Sequence, residues 1–243
     1  MGLYIEMEGN VEMEKNGIKL TRPDAIIFDM DGTLFKTETL LIPVFHQVFA
    51  RLREEGLYNE ETPPEELILS SLGMLLPDIW RRVIPNHGEE VHRRADELLL
   101  ELELEGLKGQ VTELYAGVPE TLETLHSRGV RLFVASNGLE HYVRGVADTH
   151  RILPLFEGLY SAGQYETKTK VELVRLLLDH HGVSKAWMVG DRSSDVEAGK
   201  QNGQVVIGCA YAGFGDGQEL AGADILIERF DELLPLFDEA EEQ

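Results

Sequence analysis

AIIFDMDGTLF, residues 25–35, is an apolar run that ends in two closely spaced carboxylates. The run AIIF shows no alternation of polar and apolar residues, which is typical of a strand buried on both faces of a parallel sheet. Asp29 and Asp31 follow two positions apart, so in extended backbone their side chains project to the same side. Unpaired carboxylates there repel each other, and Mg²⁺, a hard cation that prefers oxygen ligands, relieves the conflict. Such a pair alone is better explained by a solvated turn, but Gly32 and Thr33 in an apolar context favour a site.

The same kind of apolar run recurs along the rest of the chain, separated by helical patterns. The runs are RLFVAS (131–136), GLYSA (158–162), AWMVGD (186–191) and VVIGCA (205–210), with ADILI (223–227) at the edge. Apolar spacings of three and four predict helices over residues 118–129, 170–182 and 194–203. This alternation implies right-handed crossovers, so we predict an α/β fold with a doubly wound parallel sheet. Ligands bind such sheets beyond the carboxyl ends of the strands.

One long segment interrupts this alternation. Residues 37–115 contain no convincing strand and show helical patterns over 40–56, 63–85 and 88–106. We therefore predict an inserted α-helical cap domain over 37–115, which would lie as a lid over the end of the first strand. The α/β core would comprise residues 24–36 and 116–243. Residues 1–23 would form an N-terminal extension, either a small hairpin or a partly disordered segment.

The charge of the chain limits the partners it can have. Its 243 residues include 44 acidic and 22 basic ones, a formal net charge of −22. Nucleic acid and anionic membranes require a positive footprint, so neither is expected as a partner. No apolar run is long enough to span a membrane, and the acidic N-terminus does not resemble a signal peptide. With a single cysteine, Cys209, a reducing cytoplasm is the expected compartment.

Polar side chains also follow the other predicted strands. Asp191 ends the run AWMVG, and Asp195 opens the next helix, where a carboxylate can also act as a simple cap. Ser136 ends the second strand and is followed by the turn residues Asn137 and Gly138. A serine with free backbone N–H groups at such a turn can hold a phosphate oxygen, although a plain turn is the usual meaning.

A lysine near the start of a predicted helix is the third feature. The segment TKTKVE, residues 167–172, contains Thr169 and Glu172 in a capping-box pattern, so Lys168 or Lys170 lies at a helix N-terminus. A cation is electrostatically unfavourable there, because the helix N-terminus carries a partial positive charge. Its position at the carboxyl end of the sheet therefore indicates that it binds an anion.

In this order, these motifs resemble those of the haloacid dehalogenase superfamily of phosphohydrolases. They are Asp-x-Asp-Gly-Thr after the first strand, a serine after the second, a lysine, and then Gly-Asp-x-x-x-Asp. The four motifs span residues 25–199, and the helical block after the first motif resembles the helical cap of that family. Within the superfamily, the chain is most similar to the phosphoglycolate phosphatase and β-phosphoglucomutase type. The resemblance implies a Rossmann-like core with a cap.

The resemblance implies a role for each matching residue. Asp29 would be the nucleophile that forms an aspartyl-phosphate, and Asp31 would be the general acid and then the general base. Ser136 and one lysine would bind the transferring phosphoryl group. Mg²⁺ would be held by Asp29, the backbone carbonyl of Asp31 and Asp191, with Asp195 bound directly or through water.

The lysine motif leaves two registers open. A Lys-Pro-x-Pro register selects Lys168, although Thr169 and Val171 replace the prolines, whereas a Lys-x-Glu register selects Lys170, which we favour. The remaining motif residues expected at the substrate are Thr33, Asn137 and Gly138. In the cap, Arg81 is a hypothetical contact for the distal group of the substrate, although surface charge is the simpler explanation.

The second aspartate bears on the reaction class. Dehalogenases lack it and phosphonatases replace it, so the presence of Asp31 implies a phosphate-ester substrate. The implied function is a Mg²⁺-dependent phosphatase for a small phosphorylated metabolite, such as a sugar phosphate or phosphoglycolate, acting as a monomer or homodimer. A phosphomutase of the β-phosphoglucomutase type is the first alternative, and a non-catalytic scaffold is the second.

Overall fold

A computed structural model of the chain describes residues 20–72, 74, 76–109, 112–213 and 218–242. In this part of the chain, one parallel sheet contains β1 (Ala25–Phe28), β2 (Arg131–Ser136), β3 (Gly158–Ser161), β4 (Ala186–Gly190), β5 (Val205–Cys209) and β6 (Ile225–Ile227). The strands lie in the order β3-β2-β1-β4-β5-β6. Each apolar run identified in the sequence is a strand, so the predicted α/β fold with a parallel sheet is confirmed.

The helices of the described residues flank this sheet or lie above one end of it. They are α1 (Glu38–Glu54), α2 (Glu65–Leu69), α3 (Leu76–Val83), α4 (Glu89–Gly109), α5 (Val118–Ser127), α6 (Glu140–Thr149), α7 (Ala162–Tyr165), α8 (Lys170–His181), α9 (Ser193–Gln201) and α10 (Leu233–Glu239), with 3₁₀ turns at Leu153–Leu155 and Phe230–Glu232. The helical pattern over 63–85 contains two helices rather than one. The first ends where the Ser71 hydroxyl donates to the Leu67 carbonyl at 2.6 Å, a contact that competes with helix propagation. No described helix has a stretch long and apolar enough to cross a membrane.

The central strand β1 is buried on both faces. Ile26 and Phe28 belong to the core on one face, which α5, α6 and α10 cover. Ala25 and Ile27 belong to the core on the other face, which α8 and α9 cover. Burying an Ile or Phe side chain contributes about 1.5–3 kcal/mol, so this run has a strong preference for the centre of the sheet. The carboxyl end of β1 is thereby fixed in the middle of the sheet edge.

Helices α1–α4 enter and leave the core through two adjacent linkers. The Lys36 N–H donates to the Glu113 carbonyl at 2.9 Å, and the Tyr115 N–H donates to the Leu34 carbonyl at 3.0 Å. This pairing lies just beyond β1, so α1–α4 are attached directly above its carboxyl end. Of the predicted N-terminal extension, residues 1–19 lie outside the described residues, and Thr21 forms an isolated parallel bridge with Glu241.

Candidate active site

Three buried carboxylates meet at the carboxyl end of the sheet. Asp29 follows β1, Asp191 follows β4, and Asp195 lies in the first turn of α9; one carboxylate oxygen of each lies within 4.8 Å of the others. Strands β1 and β4 are neighbours in register, with Phe28 opposite Val189. This register places Asp29 beside Gly190, one residue before Asp191, so two distant motifs form one cluster at the sheet edge.

Two glycines give these carboxylates the space they occupy. Gly32 has a φ of 74°, a conformation that costs glycine little and other residues much. A Cβ at Gly32 would overlap the Asp191 carboxylate, and a Cβ at Gly190 would overlap the Asp195 carboxylate. The glycines of the first and last motifs are therefore required by the packing of the carboxylates themselves.

Lys170 holds the cluster together. It is the first residue of α8 and is 3% exposed. Its Nζ lies 2.8 Å from Asp29 Oδ1 and 2.6 Å from Asp195 Oδ1. Burial by itself lowers the pKa of Lys170, but Asp195 and Asp29 raise that pKa overall. Lys170 is therefore a charged ammonium that offsets part of the negative charge of the cluster.

Lys168 lies outside this cluster. Its side chain is exposed, and its backbone N–H donates to Glu172 Oε2 at 2.9 Å. The Thr169 hydroxyl accepts the Glu172 N–H at 3.2 Å, so Thr169 caps α8 as its sequence pattern predicts. The Glu172 carboxylate reaches one residue further back than in a standard capping box. Of the two candidate lysines, the structure brings Lys170 to the carboxylates.

The Asp191 carboxylate has an oxygen that is buried without a hydrogen bond. Its Oδ1 accepts the Thr33 hydroxyl at 3.2 Å, whereas its Oδ2 receives none from the described residues. The Arg192 Nε lies 3.5 Å from this Oδ2. Burial, followed by repulsion from Asp29 and Asp195, raises the pKa of Asp191 well above its usual value. A cation among these three buried carboxylates would offset their mutual repulsion and favour the ionised form of Asp191.

Both oxygens of Asp195 are already engaged. Oδ1 accepts the Lys170 ammonium at 2.6 Å, and Oδ2 accepts the Arg192 backbone N–H at 3.0 Å. Burial is the main cause that raises the pKa of Asp195 to about 6. The helix-cap explanation of this residue is therefore correct as far as it goes. Asp195 also supports the position of Lys170.

Asp31 is held by two hydroxyl groups. Thr37 Oγ1 donates to Asp31 Oδ1 at 2.7 Å, and the Tyr142 hydroxyl donates to the same oxygen at 2.5 Å. Burial, followed by the charge of Asp29, raises the pKa of Asp31 to about 6. A carboxyl with this pKa can carry a proton near neutral pH, as a general acid must. The site therefore contains two neighbouring carboxyls, Asp29 and Asp31, in different environments.

The two hydroxyl donors to Asp31 are functional candidates that the sequence motifs miss. Thr37 is the first residue of the segment predicted as a cap, and no sequence motif assigns it a role. Tyr142 lies in α6, a helix that is missing from the sequence-based predictions. Burial raises the pKa of Tyr142 well above its usual value, so its hydroxyl keeps its proton and remains a donor.

A cleft of about 750 Å³, including its open mouth, lies between this cluster and the helices above it. Its lining from the core is Asp29, Asp31, Ser136, Asn137, Gly138, Leu139, Tyr142 and Lys170, and its lining from the linker and cap is Thr37, Leu41, Ile68, Leu72, Met74, Ile79, Asp96, Leu99, Leu100 and Glu103. Ser136 Oγ accepts the Gly138 N–H at 3.1 Å, which fixes the turn after β2. The phosphate-binding turn anticipated from the sequence thus opens into the cleft.

Two of the candidate substrate contacts lie elsewhere. Thr33 is fully buried beneath the cluster, where its hydroxyl contacts Asp191 and its carbonyl accepts the Tyr211 hydroxyl at 2.7 Å. The side chain of Arg81 is 55% exposed and pairs with Asp78 at 3.2 Å and Glu89 at 3.4 Å. Surface charge, the simpler explanation of Arg81, matches this position. The structure does not bring either residue to the wall of the cleft.

The parallel sheet carries converging aspartates at its carboxyl edge, and helices α1–α4 lie above them. A family model described as haloacid dehalogenase-like hydrolase matches residues 26–209. The chain therefore belongs to that family.

Individual relatives agree with this assignment. The chain is 31% identical over 204 residues to a 5′-nucleotidase of Pseudomonas aeruginosa, covering 80% of this chain and 86% of the relative. It is 25% identical over 224 residues to pyrophosphatase PpaX of Listeria monocytogenes, covering 87% and 94%. A solved structure from Haemophilus somnus, described as a predicted phosphoglycolate phosphatase, superimposes with a TM-score of 0.76 at 22% identity, covering 89% and 98%. The predicted family and the predicted class, a phosphoric monoester hydrolase, are confirmed.

Proposed function

We propose that this chain is a Mg²⁺-dependent phosphatase that hydrolyses a small phosphate monoester through an aspartyl-phosphate on Asp29. The contact of Lys170 with Asp29, at the wall of a cleft that also presents Asp31 and Ser136, carries the proposal. A nucleophile, an acid and a cation converge on the space where a phosphoryl group would bind. Phosphoryl transfer depends mainly on such positioning and charge neutralisation.

The residues of the cluster fit a hard divalent cation. The donor set consists of carboxylate oxygens, and the buried Oδ2 of Asp191 accepts no hydrogen bond from the described residues. Asp29 and Asp191 would hold Mg²⁺ together with the backbone carbonyl of Asp31. Asp195 would contribute indirectly, since both of its oxygens are engaged. When bound, Mg²⁺ would supply positive charge to the phosphoryl oxygens and to the carboxylates.

In the first half of the reaction, an oxygen of Asp29 attacks phosphorus and the bond from phosphorus to the ester oxygen breaks. Lys170 and Ser136 bind the oxygens of the transferring group and keep it beside the nucleophile. Asp31 gives its proton to the departing ester oxygen, so the leaving group is released as a neutral alcohol. The raised pKa of Asp31, about 6, is suited to this donation.

In the second half, the ionised Asp31 accepts a proton from a water molecule as that water attacks phosphorus. The bond from phosphorus to Asp29 breaks, inorganic phosphate is released and the Asp29 carboxylate is restored. Thr37 and Tyr142 position Asp31 for both steps, because each donates to its Oδ1. The proton that Asp31 lost in the first half is thereby regained.

Wild-type protein is expected to release inorganic phosphate from p-nitrophenyl phosphate and from some members of a panel of phosphorylated metabolites when Mg²⁺ is present. Excess EDTA should reduce the release to background. Unchanged release in EDTA would contradict the metal requirement. Sugar-phosphate isomerisation that depends on a catalytic amount of sugar bisphosphate, with no phosphate release from any ester, would instead identify a phosphomutase.

Asp191→Asn is expected to stabilise the metal-free protein. It removes one of three mutually repelling buried carboxylates, and we expect a melting temperature higher by roughly 3–6 °C, the change that about 1–2 kcal/mol produces in a domain of this size. Mg²⁺ should raise the melting temperature of the wild type but not that of the variant. The measurement is thermal unfolding in EDTA and in Mg²⁺, with Asp148→Asn, an exposed carboxylate, as the control.

The stability of the metal-free protein should also depend on pH in a defined direction. The pKa values of Asp31 and Asp195 are raised to about 6 in the folded protein, so the folded state binds protons more tightly than the unfolded state. The free energy of unfolding of the metal-free protein should therefore fall as pH rises from about 4 through 6. The fall should be smaller in Asp191→Asn. A variant less stable than the wild type across this range in EDTA would contradict the repulsion.

A further inference from the structure

The part of the cleft that receives the leaving group carries no positive charge among the described residues. Its walls from the linker and cap are mainly apolar, formed by Leu41, Ile68, Leu72, Met74, Ile79, Leu99 and Leu100. The carboxyl groups there are Asp96 and Glu103, both on α4. Of the described lining residues, Lys170 is the only cation, and it contacts Asp29 and Asp195 at the end of the cleft where the phosphoryl group would bind.

Arginines within three residues of this wall in sequence do not line the cleft, including Arg81, Arg82 and Arg94. Arg81 pairs with Asp78 and Glu89 on the outer side of α3. Arg82 is exposed and donates to Ser70 Oγ at 2.9 Å. Arg94 pairs with Glu55 at 2.6 Å and with Glu97 at 3.1 Å. None of these arginines lines the cleft, so its described lining from these helices offers no cationic partner for a second acidic group of a substrate.

The two carboxyls of the wall differ in their partners. Asp96 accepts a hydrogen bond from the indole N–H of Trp80, a buried side chain. Glu103 is half-buried and receives no hydrogen bond or ion pair from a described residue. Burial, followed by the charge of Asp31, raises the pKa of Glu103 well above its usual value. Glu103 is therefore the wall group with unused hydrogen-bonding capacity, and it lies close enough to Asp31 to repel it.

We infer that the substrate is a phosphate monoester whose leaving group is not anionic and presents a hydroxyl or ammonium donor to Glu103. This inference rests on the proposed function. A leaving group with a carboxylate or second phosphate would place that anion between apolar side chains and Glu103, with no cation to offset it. Desolvation of the anion between apolar side chains is unfavourable at any pH. Where Glu103 is ionised, like-charge repulsion adds to this cost. The site therefore discriminates against such esters.

The inference narrows the substrates that the sequence suggests. Phosphoglycolate has a leaving group with a carboxylate, and a bisphosphate has one with a second phosphate. Each of these leaving groups requires a basic contact that the described cleft lacks. A polyol, an amino alcohol or a nucleoside satisfies the wall, because each is uncharged or cationic and carries donors. The shared requirement is the absence of a second negative charge.

Two matched pairs of esters test whether the site discriminates against anionic leaving groups, which we call the charge rule. Glycerol 3-phosphate and 3-phosphoglycerate differ in having a hydroxymethyl group or a carboxylate at the distal carbon. Phosphoethanolamine and phosphoglycolate contrast an ammonium with a carboxylate. With Mg²⁺ at mildly alkaline pH, kcat/KM is expected to be roughly 10- to 100-fold higher for the first ester of each pair.

Substitution of Glu103 tests whether this residue causes the discrimination against anionic leaving groups. Glu103→Gln should reduce the preference within each pair by about tenfold, chiefly by raising kcat/KM for the anionic ester. Glu101→Gln is the matched control, because Glu101 is exposed on the same helix and does not line the cleft. It should leave the preference unchanged.

The outcomes separate this inference from the proposed function. Phosphate release with equal or higher kcat/KM for the anionic esters would overturn the charge rule and leave the phosphatase proposal standing. A retained preference in Glu103→Gln would overturn the role of Glu103. No Mg²⁺-dependent release from any of the four esters or from p-nitrophenyl phosphate would overturn the proposed function, and the inference with it.

Discussion

Asp29→Asn is expected to lower kcat for phosphate release by roughly 10⁴-fold or more, the scale on which loss of a catalytic nucleophile acts. The amide oxygen lacks the negative charge that attacks phosphorus, so no covalent intermediate forms. The fold should persist, because asparagine has the same shape and Lys170 keeps its contact with Asp195. Melting temperatures in EDTA should therefore differ by only a few degrees.

The measurement combines steady-state kinetics with detection of the intermediate. Acid-quenched wild-type protein should carry one phosphoryl group on the peptide that contains Asp29, and Asp29→Asn should carry none. Asp148→Asn, which changes an exposed carboxylate in the same way, should keep wild-type activity. Phosphate release by Asp29→Asn within tenfold of the wild type would exclude Asp29 as the nucleophile.

The strands and the motif carboxylates are predictable because their signals are local. Each strand is a short apolar run, and the side chains that follow a parallel strand must lie at one edge of the sheet. Asp29 and Asp191 are far apart in sequence, yet the neighbouring positions of β1 and β4 bring them together. The preference for Lys170 over Lys168 also rests on a local pattern, the Lys-x-Glu register.

The rest of the site depends on contacts that no local pattern records. Tyr142 reaches Asp31 from α6, a helix missing from the sequence-based predictions, and Thr37 does so from a linker. Glu103 is one of several acidic residues along α4, and its sequence neighbours give no sign that it faces the cleft whereas Glu101 faces solvent. Which face of a cap helix is turned inward is decided by packing, so the sequence could name Arg81 only as a hypothesis.

The distribution of charge explains how so acidic a chain can bind phosphate. The formal net charge is −22, but a phosphoryl group at the cluster would contact Lys170 and a bound cation. The distal wall has no such compensation within the described residues. In the proposed reaction, charge neutralisation is thus confined to the point of phosphoryl transfer, and this confinement is the basis of the inferred selectivity of the site against anionic leaving groups.

Lys170→Met is expected to destabilise the metal-free protein by about 3–5 kcal/mol near neutral pH, the cost of removing one partner from a buried ion pair. Methionine has a similar length, but it leaves Asp29 and Asp195 buried without the ammonium that contacts both at 2.8 and 2.6 Å. Lys168→Met is the matched control. Its side chain is exposed, so the expected change is within about 0.5 kcal/mol.

The pH dependence of Lys170→Met identifies the cause of the loss. Because the pKa of Lys170 is raised in the folded protein, its contribution to the free energy of unfolding is complete at pH values below the usual lysine pKa. That contribution is lost only as pH rises above the usual lysine pKa. At acidic pH the carboxyls take up protons, beginning near the Asp195 pKa of about 6, so the variant should approach wild-type stability there. Urea unfolding in EDTA at pH values on either side of this pKa measures the difference. Equal effects of Lys170→Met and Lys168→Met on the free energy of unfolding would show that the Lys170 ammonium does not stabilise the carboxylate cluster. A loss of stability that is independent of pH would show the same.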